Sequence, residues 1–254
     1  MHGYHRQGMA TNIWLLAAAT FLLAGLVKGV IGMGLPTVAM GLLAIVLPPA
    51  DAAALLVVPS LVTNVWQLLA GPRFTVLAWR LGTMMAGVML GTIAGVGILA
   101  SDTAGLASIG LGIALAVYAA VGLAGLRIAV VRRHEVWLAP LVGVTTGLVT
   151  GATGVFVIPA VPYLQAIGLE KEELVQALGL SFTVSTVALA MGLLRVDAWH
   201  AGAAWMSLLA LVPALIGMQI GQMLRRRIAS STFRRVFFAG LLLLGLYLAL
   251  QGSA

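Results

Sequence analysis

The chain has 254 residues, 61% of them apolar and 8% charged, where an ordinary globular domain is about 45–50% apolar and about 25% charged. So few charges cannot cover a water-soluble fold, and the absence of cysteine excludes disulfides, thiolate metal sites and thiol catalysis. The formal net charge of +7 does not point to nucleic acid, because the arginines stand in short clusters between apolar runs, where they serve as topology anchors.

The first apolar stretch begins near Asn12 and runs for about 36 residues, or about 54 Å as helix, too long for one crossing of a ~30 Å hydrocarbon core. Arg6 followed by the apolar run Ile13 to Val27, with small residues at Ala17 to Ala19, has the outline of a signal peptide. This stretch carries one copy of a motif that recurs mid-chain, so we expect it to be retained. The motif is Gly25-Leu26-Val27-Lys28-Gly29-Val30-Ile31-Gly32, and glycines at 29, 32 and 34 followed by Pro36 allow the helix to break and restart. A helix-break-helix hairpin is predicted, ending at Pro48-Pro49-Ala50-Asp51. Three long apolar segments follow, at about residues 51–70, 80–99 and 103–126.

After the basic linker Arg127 to Glu135 the pattern returns. Gly147-Leu148-Val149-Thr150-Gly151-Ala152-Thr153-Gly154 matches the first motif at five of eight positions, 122 residues later, and reaches Pro159 and then Glu170-Lys171-Glu172-Glu173. Segments follow at about 172–193, 201–223 and 234–250. The predicted organisation is a first membrane repeat over 12–126 and a second over 136–250.

Charge placement orients the repeats. If each hairpin crosses an even number of times, eleven Lys or Arg residues (Arg73, Arg80, Arg127, Arg132, Arg133, Lys171, Arg225, Arg226, Arg227, Arg234 and Arg235) share one face, with only Arg6 and Arg195 opposite. An odd number divides them seven to six. The positive-inside rule selects the even arrangement. The fold class is therefore all-α integral membrane: two inverted repeats, each a glycine-broken hairpin followed by three transmembrane helices, with 8 to 10 membrane segments, an architecture transporters use.

The spacing Gly25-x-x-x-Gly29-x-x-Gly32-x-Gly34-x-Pro36, with its degenerate copy from Gly147 to Pro159, resembles the TauE/SafE family of sulfite and organosulfonate exporters over about residues 12–250. The resemblance implies a multi-pass permease of the bacterial inner membrane, exporting small sulfur-containing anions such as sulfite or sulfonates. The glycine breaks leave backbone N–H groups without intrahelical partners, and the half-helices starting near Pro36 and Pro159 aim positive N-terminal ends inward, which suits an anion. Gly29, Gly32, Gly34, Gly151 and Gly154 are candidate substrate-binding positions on this ground. Gly25 and Gly147 fit close helix packing instead.

Lys28 is the one basic residue well inside an apolar stretch and is a candidate counter-charge. Its counterpart Thr150, with Thr153, offers hydroxyl donors. Ser60, Thr63, Asn64 and Gln67 share one helical face; at the repeat offset Asn64 meets Thr186 and Thr63 meets Ser185. Asn64, Gln67, Ser181 and Ser185 join the candidate site, and interhelical hydrogen bonding is the alternative role for the hydroxyls. The acids fall at segment ends as caps or in solvated loops, and the histidines show no metal-ligand spacing. Trp14, Trp79, Trp137, Trp199 and Trp205 read as interface anchors and Trp66 as core. Neither a cofactor nor a metal is expected, and the chain does not read as an enzyme, because no nucleophile-base pair is visible. The expected partners are a small anionic solute and the lipid bilayer, with no nucleic acid, and a homodimer is left open. An anion channel or a same-fold permease for another small anion are the alternative functions.

Overall fold

The computed structural model describes residues 2–100, 105–125, 129–225, 227 and 230–252. Asp102, Arg127 and Arg226 lie outside these residues, as do the side chains of His2, His5 and Arg6. Among the described residues the chain forms eleven helices and no strand. They are α1 (His2–Ile31), α2 (Leu35–Leu43), α3 (Pro49–Leu69), α4 (Phe74–Arg80), α5 (Gly82–Ala100), α6 (Leu106–Ala124), α7 (Arg132–Thr153), α8 (Ala160–Ala166), α9 (Lys171–Arg195), α10 (Ala201–Arg225) and α11 (Ser230–Gln251). Eight of them, α1, α3, α5, α6, α7, α9, α10 and α11, are long and apolar enough to cross a membrane. The six long segments expected outside the hairpins are present within four residues of their predicted bounds. The short α4 was not foreseen; it turns Phe74, Val76 and Trp79 outward and buries Leu77.

Glycine rows fix which helices lie together and in which direction. A Cβ on Gly25 would stand 2.1 Å from the Ala214 carbonyl oxygen, and one on Gly29 2.3 Å from that of Met218, so α1 and α10 run parallel in backbone contact. Gly147 and Gly151 meet the Val88 and Thr92 carbonyls at 2.3 Å each, so α7 lies parallel to α5 in the same way. Gly91 and Gly95 on α5 correspond to Gly217 and Gly221 on α10, each 126 residues later. The opening helix of each half is thus seated on a late helix of the other half. In lipid, where water gives helices no reason to associate, such small-residue contact maximises dispersion and is a main source of cohesion.

Two further pairs, α6 with α11 and α3 with α9, are antiparallel. Gly112 abuts Gly245 and Ala249 between α6 and α11, and Gln67 bonds Val175 while Ser60 approaches Thr186 between α3 and α9. Following the chain through these pairings, α1, α3, α6 and α10 point one way and α5, α7, α9 and α11 the other. One end of the bundle then carries Arg73, Arg80, Arg132, Arg133, Lys171, Arg225, Arg227, Arg234 and Arg235; among described side chains only Arg195 lies at the opposite end. This is the even arrangement.

The return legs of both hairpins are short: α2 has nine residues and α8 seven, about 14 and about 10 Å of helix. Extended or turn segments complete each leg. The Val130 amide donates to the Ala166 carbonyl at 2.8 Å, which brings the end of α8 back to the level where α7 begins. Non-helical backbone at membrane depth persists only inside protein, and Val155, Phe156 and Val157 are fully buried.

Two aromatic expectations need correction. Trp66 is 70% exposed near the C-terminal end of α3, so it faces outward like Trp79, Trp137 and Trp205 and is not core. Trp199 does the reverse: it packs partly buried against the core.

Candidate functional site

Lys28 occupies the last turn of α1, ahead of the break at Gly32 to Gly34, and is only 4% exposed. Its ammonium donates to Thr63 Oγ1 at 3.1 Å and to Asn64 Oδ1, both on α3. These acceptors are neutral. Among the described residues the ion pairs are Arg73–Glu173 and Arg80–Glu135, and no carboxylate reaches Lys28. A buried cation without a counter-ion is costly, and hydrogen bonds to dipoles offset only part of that cost. Two of its three donors are engaged.

The polar face around Lys28 is continuous. Asn64 Nδ2 donates to Ser60 Oγ at 3.0 Å, and the Ser60 and Thr186 hydroxyls lie 3.3 Å apart, joining α3 to α9. Thr63 and Thr186 also bond back to the Pro59 and Phe182 carbonyls, each at 2.7 Å. Pro59 shapes this stretch. It has no N–H to give Leu55, whose freed carbonyl accepts from Ser207 Oγ on α10 at 2.8 Å, while the Val58 amide donates to the same hydroxyl at 2.9 Å. One serine therefore fastens α10 across the proline and fixes the height of the polar face on α3.

Gly32 and Gly34 have φ of +87° and +103°, left-handed values that glycine adopts without steric cost. They turn the chain into α2, with Pro36 in its first turn. Thr37, also in that turn, is fully buried and its hydroxyl has no hydrogen-bond partner among the described residues. Side chains in a helix lean toward its N-terminus, so Thr37 leans toward the break.

In the second hairpin the threonines at the end of α7 are satisfied from within, while the buried hydroxyls of Thr146 on α7 and Tyr163 on α8 have no hydrogen-bond partner among the described residues. Thr150 donates to the Thr146 carbonyl at 2.7 Å and Thr153 to that of Val149 at 2.6 Å, and the Val155 amide donates to Thr153 Oγ1 at 3.2 Å, closing the end of α7. Gly154 (φ +71°) ends the helix against Met40 of α2, and Phe156 sets its ring edge-on to Phe182.

The structure thus joins Lys28 and Asn64 directly, and adds Ser60, Thr63 and Thr186 to them. Gly29 and Gly151 stand in helix contacts, at the same kind of position as Gly25 and Gly147. Gln67 donates to the Val175 carbonyl at 2.9 Å, away from Lys28 and toward the basic end. Ser181 and Ser185 are fully buried on α9 without a partner among the described residues. Two groups escaped the sequence reading. Gln176 clamps the end of α3 by donating to the Leu68 and Gly71 carbonyls and accepting from the Arg73 amide; an amide early in an apolar helix was the available signal. Glu135 is not in a solvated loop but is 9% exposed in a two-pronged pair with Arg80 at 2.7 and 2.9 Å. The Arg80 guanidinium, held by that bond and also donating to the Ile167 carbonyl at 2.9 Å, has its pKa raised further above its ordinary value. No sequence spacing announces a pair 55 residues apart.

Eight apolar spans, two broken hairpins folded back inside the bundle and a buried, uncompensated lysine define a multi-pass helical membrane protein with a polar interior. The family model described as "Sulfite exporter TauE/SafE" matches residues 17–248, and the chain belongs to that family of membrane transporters. No curated protein and no solved structure matches it.

Proposed function

We propose that the chain is a secondary transporter that exports small sulfur-containing anions, sulfite or organosulfonates, across the bacterial inner membrane, and that the anion binds at the first hairpin. The observation that carries this reading is Lys28: a buried ammonium held by Thr63 and Asn64 with no carboxylate partner. A small anion supplies the missing charge, and its oxygens match the remaining ammonium donor, the Asn64 amide and the Thr37 hydroxyl in chemistry. The N-terminal end of α2 at the break adds partial positive charge. Family membership supports the class of cargo.

In this reading the halves 12–126 and 136–250 are the two repeats, and the basic end of the bundle faces the cytoplasm by the positive-inside rule. Each half is pinned to the other by a glycine-rich pair, α1 on α10 and α7 on α5, so relative movement takes place between these pairs.

Uptake of labelled sulfite and a small sulfonate into proteoliposomes, with acetate as control, tests the proposal under imposed pH and potential gradients. Saturable flux of the sulfur anions, lost in Lys28→Ala, is expected. Flux that does not saturate would make the protein a pore, and flux of acetate alone would overturn the cargo.

A further inference from the structure

Beside the first hairpin break, at the basic end of the bundle, lies an open cavity of about 390 Å³. Val30, Ile31 and Met33 of the break form part of its wall, and Lys171, Arg225 and Arg234 supply its charge from the starts or ends of α9, α10 and α11. None of the three cations is in an ion pair among the described residues, and no acid lines the cavity. Of the acids next to Lys171 in sequence, Glu170 caps α9 by accepting from the Glu173 amide, and Glu173 is turned away to Arg73 at 2.9 Å. Three cations from three helices converge here on a wall that is otherwise apolar. The wall is anchored: Met33 Sδ accepts from the Tyr118 hydroxyl at 3.3 Å, and Tyr118 packs edge-on to Phe238, another lining residue.

The cavity is also close in the chain to the buried lysine. The Gly32 amide donates to the Lys28 carbonyl at 2.7 Å, so the break residues that line the cavity close the same helical turn that carries Lys28. A Cβ on Gly32 would meet nothing within 4 Å, so this turn borders open space.

We infer that this basic cavity is the loading vestibule of the transporter: a small oxyanion is captured by Lys171, Arg225 and Arg234 at the basic face and passed across the Gly32 turn to Lys28. The inference rests on the anion reading of Lys28 and adds to it a second binding station and a side of entry. Convergent cations raise the local concentration of an anion and speed its capture, an effect that salt weakens. An anionic lipid headgroup has the same chemistry, so the test separates lipid from free anion.

The experiment has two arms. In proteoliposomes of one protein orientation and purely zwitterionic lipid, Lys171→Gln, Arg225→Gln and Arg234→Gln are each expected to raise the KM for sulfite offered at the basic face roughly fivefold, most at low salt, with the maximal rate kept. The KM from the other face should not change. A KM unaltered from both faces, or altered equally from both, overturns the inference. The second arm needs no transport. Lys28 and Lys171 are the only lysines, so mass spectrometry can follow reaction of Lys171 with an amine reagent in lipid-free detergent. Protection by sulfite and sulfate but not by chloride is expected. Protection by anionic lipid alone would make the cavity a headgroup site and overturn the loading role. If sulfite and sulfate protect Lys171 while no sulfite is carried, the vestibule stands as an oxyanion site and the cargo reading alone has failed.

Discussion

The two hairpins begin from one motif and arrive at different chemistry. Both opening helices bury their glycines against a parallel helix of the other half, at matching positions and nearly equal approach, so the framework is shared. Beyond it they diverge. The first hairpin places a cation at the last turn before the break, reaches across to Asn64 and Thr63, and borders an open basic cavity. The second has threonine where the first has lysine, spends both hydroxyls on its own helix, and fills its extended leg with Val155, Phe156 and Val157. The two hairpins share packing because any residue larger than glycine collides with a carbonyl. They do not share chemistry, because one charged site suffices and a second uncompensated lysine would cost the fold several kcal/mol.

The largest expected effect tests this asymmetry directly. Lys28→Ala should reduce saturable sulfite flux about 100-fold or more, because it removes a charge-assisted contact of the kind worth about 1.5–3 kcal/mol together with the attraction of the anion. Thr150→Ala, at the equivalent position, should change flux less than about twofold, because its hydroxyl serves a helix carbonyl worth about 1 kcal/mol. Comparable losses in the two variants would show that both hairpins bind solute.

Asn64→Asp sharpens the same point. The carboxylate would replace the amide oxygen that now accepts from Lys28 and supply a counter-ion from within. Thermal stability in detergent should rise or hold, while the KM for sulfite should climb about tenfold, since the internal carboxylate competes with a contact worth about 1.4 kcal/mol. A variant that gains stability and keeps its KM would remove Lys28 from the binding site.

Much of this was legible in the sequence. Spans, hairpin positions and the even crossing followed from hydropathy, glycine spacing and the arginine count, all of which are linear along the chain and enforced by lipid. The polar face at 60, 63, 64 and 67 was readable for the same reason, since helical periodicity is local. What escaped depended on pairing between distant segments. Trp66 looked central but is turned outward on α3 near its C-terminal end, and Gly29 and Gly151 looked like break residues but are seated one turn before the break, against α10 and α5. The Arg80–Glu135 pair and the basic cavity of Lys171, Arg225 and Arg234 join residues from several helices, and only the fold brings them together.

The smallest expected effect separates the breaks themselves. Gly32 and Gly154 both have positive φ, so alanine at either costs about 1–2 kcal/mol in backbone strain alone. At Gly154 the new methyl would also stand 2.7 Å from the Met40 side chain, whereas at Gly32 it would meet nothing within 4 Å. Met40 is fully buried and its flexible end must shift, which adds about 1 kcal/mol of overpacking. Gly154→Ala should therefore lower the unfolding midpoint in detergent more than Gly32→Ala does. Flux should show the opposite order: Gly32→Ala stiffens the turn between the basic cavity and Lys28 and slows transport, while Gly154→Ala leaves the surviving folded protein close to wild-type rate. If Gly154→Ala slows transport at equal folded fraction, the second break moves during the cycle, and the division between a working hairpin and a packing hairpin fails.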